Sequence, residues 1–278
     1  MDGSMAFADG LDMSALDEAR IEAHNAIQWL ARLARSYAGE AERDEPLLYW
    51  DASRSAVTTP PFADGLRVEL RLPELILQFT ENDAPSPHSL DLEGKSSAEV
   101  EAWILIETYH RGVDRAAFSK SLPYWIAQMR DGDEIRYSSE SCKSELETIA
   151  RIQQRGAQVL GAVQAVLLPD AVDRTREAAQ PPGLAVWPEQ FETGFDLPVE
   201  GVSGGAKTAL RIGLSLARDK PSAPTLFIRL AGADAQRAAL VERSLPLTQQ
   251  AWRTRSIAQI AEALASQARD AVALTRRP

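Results

Sequence analysis

The chain has one cysteine, Cys142, three histidines, His24, His88 and His110, and only five lysines. A single thiol excludes an internal disulfide framework and any thiolate zinc centre. Three histidines leave few bases for a Ser/His/acid triad, and no G-x-S-x-G elbow marks a nucleophile. Long apolar runs are missing as well. Stretches such as Ala102–Ile106 and Ala165–Leu168 fall far short of the roughly 18 residues a membrane span needs. The opening MDGSMAFADG has no basic segment followed by an apolar core, so it does not read as a secretory signal, and a cytoplasmic protein is expected. Basic residues are outnumbered, 30 against 40 acids, for a formal charge of −10. Such a field repels polyanions, so neither nucleic acid nor an anionic membrane is expected as a partner.

What is present is the composition of a folded protein: 45% hydrophobic and 25% charged residues in 278, enough for one large domain or two ordinary ones. After a Gly/Asp/Met-rich tail (residues 1–13), Ser14 reads as an N-cap. Leu16, Ala23, Ile27, Leu30, Ala34 and Tyr37 then recur at helical spacing up to Gly39. The other face of this helix carries His24, Gln28, Arg32 and Arg35. Strand character begins at Leu47–Trp50, and Leu66, Val68, Leu70 and Leu72 alternate strictly with charged residues. Leu75, Leu77 and Phe79 repeat the pattern. The turn-rich NDAPSP leads to a short strand at His88–Leu92.

Ser96 and Glu99 form a capping-box pattern before a helix that Gly112 should end. Ser144 and Glu147 repeat the pattern before a long helix reaching about Leu167. Residues 169–183, with Pro at both ends and no apolar period, read as a linker. Beyond it come strands at Leu184–Trp187, Phe191–Val199, Leu210–Leu216 and Leu226–Leu230, a short one at Ser244–Leu247, and a last helix capped by Ser256. The expected fold is therefore α+β, with two helix–antiparallel meander–helix parts at 14–168 and 184–278. Their shared order, including Trp50 and Trp187 in each first strand, suggests an internal duplication. The plainer account is that any α+β chain yields such units.

Three motifs fail against their context. Gly201–Thr208 nearly matches a P-loop, but Ala206 replaces a cradle glycine, and the residues that follow alternate like a strand where a P-loop must open a helix. Glu107 and His110 have the spacing of a di-iron ligand pair, yet no second E-x-x-H exists. Cys142 sits near a helix start with no base beside it, which suits a buried thiol. No metal and no cofactor is expected.

The densest specific chemistry lies in residues 109–124, where His110, Arg111, Asp114, Arg115, Lys120 and Tyr124 surround a glycine stop and a proline turn. Arginine forks suit carboxylate or phosphate, so a small anionic ligand is expected here, with His24 as an added candidate. The alternative is that these cations neutralise acids such as Glu107, Asp131 and Asp133. The strings HNAIQWLAR (24–32), HRGVDRAAFSKSLPY (110–124) and WPEQFETGFDL (187–197) resemble stretches of an uncharacterised bacterial family of similar length. That resemblance implies an α+β fold and carries no activity. The leading expectation is a non-enzymatic protein that binds a small anionic ligand or a protein partner. The alternatives are a hydrolase built on His24, His110 and Asp114, and an acidic chaperone or adaptor.

Overall fold

Ser96 caps its helix as the S-x-x-E pattern requires. Its hydroxyl accepts from Glu99 N at 3.3 Å, and Ser96 N donates to Glu99 Oε2 at 2.8 Å. The helix, α2, runs Ser97–His110 and stops at Gly112, which takes a positive φ of 70°. The computed structural model in which these elements are seen describes residues 13–37, 47–168, 184–199, 208–216, 224–231, 238–239, 241–246 and 254–275. The other α-helices whose bounds fall among the described residues are α1 (Met13–Tyr37), α3 (Lys143–Leu167) and α4 (Ile257–Thr275). Among the described residues ten strands accompany them in an α+β fold: β1 (Leu48–Asp51), β2 (Ala56–Thr58), β3 (Leu66–Arg71), β4 (Ile76–Glu81), β5 (Ala84–Asp91), β6 (Leu184–Trp187), β7 (Glu192–Pro198), β8 (Ala209–Ser215), β9 (Thr225–Ala231) and β10 (Arg243–Pro246).

The described residues group into two compact units, one of 13–151 with 185–191, the other of 152–168 with 184 and 192 onward. The expected division at 169–183 lies outside the described residues. In the first unit the strands lie in the order β6-β1-β2-β3-β4-β5, with β1 to β5 an antiparallel meander. Leu66, Val68 and Leu70 of β3 are buried, and α1 packs against β3 and β1 with Ala23, Ile27, Leu30 and Ala34 also buried. The turn before β3 is tight, with Ala63, Asp64 and Gly65 all at positive φ.

The second unit is an antiparallel meander in the order β7-β8-β9-β10. Leu210, Ile212, Leu214, Leu226, Ile228 and Leu230 form its buried face, with α4 against β8. Gly194 and Gly213 face each other, and a Cβ on Gly194 would stand 2.1 Å from the Ile212 carbonyl oxygen. Only glycine allows that approach. Ser256 caps α4 as expected, accepting from Gln259 N. Gly201–Lys207 falls outside the described residues, but Ala209 does open a strand.

Three local expectations are corrected. Helix α1 begins at Met13, so Ser14 lies inside it and Asp17 pairs with Arg20 instead of serving the first turn. Helix α3 follows directly on a 3₁₀ turn (Glu140–Cys142), and the Ser144 hydroxyl bonds Glu145, so no capping box forms there. The proline-rich segment before His88 is part of β5 itself. This works because β5 is an edge strand, where the missing N–H groups of Pro85 and Pro87 need not join a ladder. Strand β2 had no sequence signal, being only three residues long. No helix among the described residues is long and apolar enough to cross a membrane.

Candidate functional site

A helix with polar residues along one face ordinarily turns that face to water. In α1 the second stripe is buried: Glu22, Asn25, Gln28, Trp29 and Arg32 are each at most 6% exposed. Residues 118–139 cover it, and they contain no strand and no α-helix. An irregular segment laid on a helix must find partners for its peptide groups, and the side chains of α1 supply them. Asn25 acts as a surrogate peptide: Nδ2 donates to the Gln128 carbonyl at 3.2 Å and Oδ1 accepts from Arg130 N at 2.8 Å. Ser36 Oγ accepts from Ser119 N at 2.9 Å, and Arg35 donates to the Ser121 carbonyl. Glu22 takes the Arg130 guanidinium at 2.6 Å and the Ser138 N–H at 3.3 Å.

The centre of this face is aromatic and cationic. Trp29 Nε1 donates to Tyr137 Oη at 3.0 Å, and Arg130 lies 5.3 Å from the Tyr137 ring. Burial pushes the Tyr137 phenol up to about 12, so it stays protonated. Arg32 stacks on the Trp29 ring at 4.4 Å. Its guanidinium is 5% exposed as a residue, yet no carboxylate pairs with it among the described residues. Nη2 meets only the Met129 thioether at 3.8 Å, and Nε meets nothing. Burial lowers the Arg32 pKa, with Tyr137, Asp131, Glu101 and Tyr124 opposing it from further off.

Tyr124 and Lys120 of the expected site reach this face. The Tyr124 hydroxyl donates to Gln28 Oε1 at 2.9 Å, and burial raises its pKa. Lys120 Nζ stands 2.9 Å from Glu101 Oε2 and 3.7 Å from Asp131 Oδ1. His24, on the same helix, bonds the Pro188 carbonyl through Nε2 at 2.8 Å and stacks on Phe191. That bond requires the proton on Nε2 in the neutral ring. Burial, helped by the charge of Arg20, lowers its pKa from 6.5 to about 4.

The other expected residues gather elsewhere, at the end of α2. Arg111 is committed to Glu107 (2.5 Å) and Glu81 (3.0 Å), and lies over the Phe79 ring. Glu107 thus serves Arg111, with His88 Nδ1 3.4 Å away, and not the His110 of its E-x-x-H string. Asp114 caps a 3₁₀ turn through Ala116 N. Arg115 is exposed and stacks on Tyr109 at 5.5 Å, and His110 is exposed with its ring tilted against Tyr109. Arg111, Arg115 and Lys120 therefore do not form one open cationic surface, since acids already hold the first and last.

Of Glu22, Asn25, Trp29, Arg32, Met129, Arg130 and Tyr137, only Arg32 was named from sequence, as part of the polar face of the helix, and none was a candidate site residue. One signal was available: Trp29 stands within the polar stripe, where a large ring is out of place on a solvated face. Cys142 is buried and its pKa is pushed up to about 11, first by desolvation and then by Glu22 and other nearby acids. Among the described residues no group of three His, Cys, Asp or Glu side chains is placed to hold a metal ion. No family model, curated protein or solved structure matches the chain.

Proposed function

We propose that this chain is a non-enzymatic binding protein for a small anionic ligand, held at the polar face of α1 with Arg32 as its anchor. The observation that carries the reading is the buried side chain of Arg32, with which no acid among the described residues forms an ion pair. Leaving a buried ion unpaired costs several kcal/mol in order of magnitude. An anion from solution would remove that cost, and Trp29 and the helix already hold the guanidinium in place. The hydrolase alternative has less support. His24 spends Nε2 on a carbonyl and is a weakened base, while Asp114 is engaged in capping.

A protein partner remains the second reading, favoured by Trp125, which is 77% exposed, and by the Arg115–Tyr109 stack. Exposed Trp, Tyr and Arg are the residues that dominate interface energetics.

The test is Arg32→Met with thermal unfolding in acetate, benzoate, inorganic phosphate and sulfate. Methionine keeps the contact with Trp29 and removes the charge. The free variant should be as stable as the wild type or more so, and it should lose the response to anion. In the wild type, an anion at about 100 times its Kd should add roughly 2.7 kcal/mol. A variant that is strongly destabilised and still responds to anion would refute the reading.

A further inference from the structure

The proposal above leaves open which anion is bound and how it enters. Resting on that reading, we infer that the ligand's charged group is a single carboxylate, and that it binds the Nε–Nη2 edge of Arg32 by displacing the Met129 thioether.

Three observations lead there. The first is the shape of what Arg32 lacks. Trp29 covers a face of the guanidinium, so hydrogen bonds must come in its plane. In that plane Nε has no acceptor and Nη2 has only sulfur at 3.8 Å. Nε and Nη2 form the parallel donor pair that matches the two oxygens of a carboxylate, whereas a thioether is a weak acceptor through a single sulfur atom. Met129 therefore serves Nη2 in place of a stronger acceptor.

The second is charge. Lys120, a second cation on which the charge of Arg32 acts, is held by Glu101 and Asp131, the two acids that also act on Arg32. Tyr124 and Tyr137 remain protonated and add no charge of their own. Arg32 and Lys120 thus carry two positive charges against the two negative charges of Glu101 and Asp131, so the set is neutral although Arg32 itself has no acid in ion-pair contact. A carboxylate adds one negative charge to that set, while a phosphate dianion would add two and bury the second without a partner.

The third is the plug itself. Met129 is half-buried and follows Gln128, whose φ of +60° is a left-handed conformation that non-glycine residues rarely adopt. Asn25 fixes the turn through the Gln128 carbonyl and Arg130 N, the peptide groups flanking Met129, while the Met129 side chain is tied only by sulfur. A flexible, unbranched side chain on a strained turn can leave at little cost.

The experiment uses the full chain labelled at the methionine methyl groups. The Met129 signal is assigned by Met129→Leu and followed in two-dimensional proton–carbon spectra during titration with acetate, benzoate and inorganic phosphate. The carboxylates should shift the Met129 methyl saturably, phosphate should not, and Arg32→Met should abolish the shift. Met129→Ala, which removes the plug, should tighten benzoate binding about five- to tenfold. Phosphate binding that depends on Arg32, without any carboxylate response, would overturn the inference and leave the anion reading standing. Carboxylate binding that depends on Arg32 but leaves the Met129 methyl unmoved, with Met129→Ala unchanged in affinity, would do the same. Silence to every anion in both the wild type and Met129→Ala would overturn both.

Discussion

Acidification from about pH 7.5 to about pH 5 should cost the protein about 2 kcal/mol through His24 alone. In the unfolded chain this ring takes a proton near 6.5, but in the folded chain only near 4, because burial against Phe191 disfavours the cation. The neutral form is the folded form. Its contribution is therefore complete above about pH 6.5 and is lost as the pH falls toward 4. At pH 5 the unfolded ring lies about 1.5 units below its pKa while the folded ring is still neutral, and at about 1.36 kcal/mol per unit this yields about 2 kcal/mol. Other groups also titrate in this range, so the measurement is a difference. His24→Gln keeps an N–H for the Pro188 carbonyl and removes the titration. Urea unfolding followed by tryptophan fluorescence at both pH values, for wild type and variant, isolates the term. The wild type should lose about 2 kcal/mol more than His24→Gln over the interval. Equal losses would mean that His24 is not held neutral by its surroundings, and the reasoning would fail.

Two further outcomes test the packing of the covered face. Glu22→Gln should destabilise the protein by about 3–5 kcal/mol, because it strands Arg130 in a place where both side chains are largely buried, and Arg130→Met in the same background should restore much of the loss; a cost under about 1 kcal/mol in thermal melts would show the pair to be solvated. Cys142, its pKa near 11, should react with a thiol reagent at about pH 8 only once urea unfolds the chain, since few native thiols are ionised there; native labelling at the rate of a free cysteine would contradict its burial.

Much of this protein is written locally. The Ser96–Glu99 box, the stop at Gly112 and the alternation of Leu66 to Leu72 each depend on neighbours within a few residues, so period and capping chemistry were enough to place α2 and β3. The strict alternation after Thr208 likewise announced β8. The apolar side of α1 was legible for the same reason.

The other side of α1 was not. Helical period tells which of Glu22, Asn25, Gln28 and Arg32 share a face, but not whether water or protein lies opposite. Residues 118–139 have no period of their own, and their peptide groups are satisfied by side chains about a hundred positions away, such as Asn25 for Gln128 and Arg130. Tertiary contact likewise separated Arg111 and Lys120 from the role their clustering suggested, by setting Glu107, Glu81 and Glu101 beside them. It also left Arg32 buried among aromatic rings with no acid within ion-pair reach, because the energy of a guanidinium depends on what surrounds it in space and not on its neighbours along the chain.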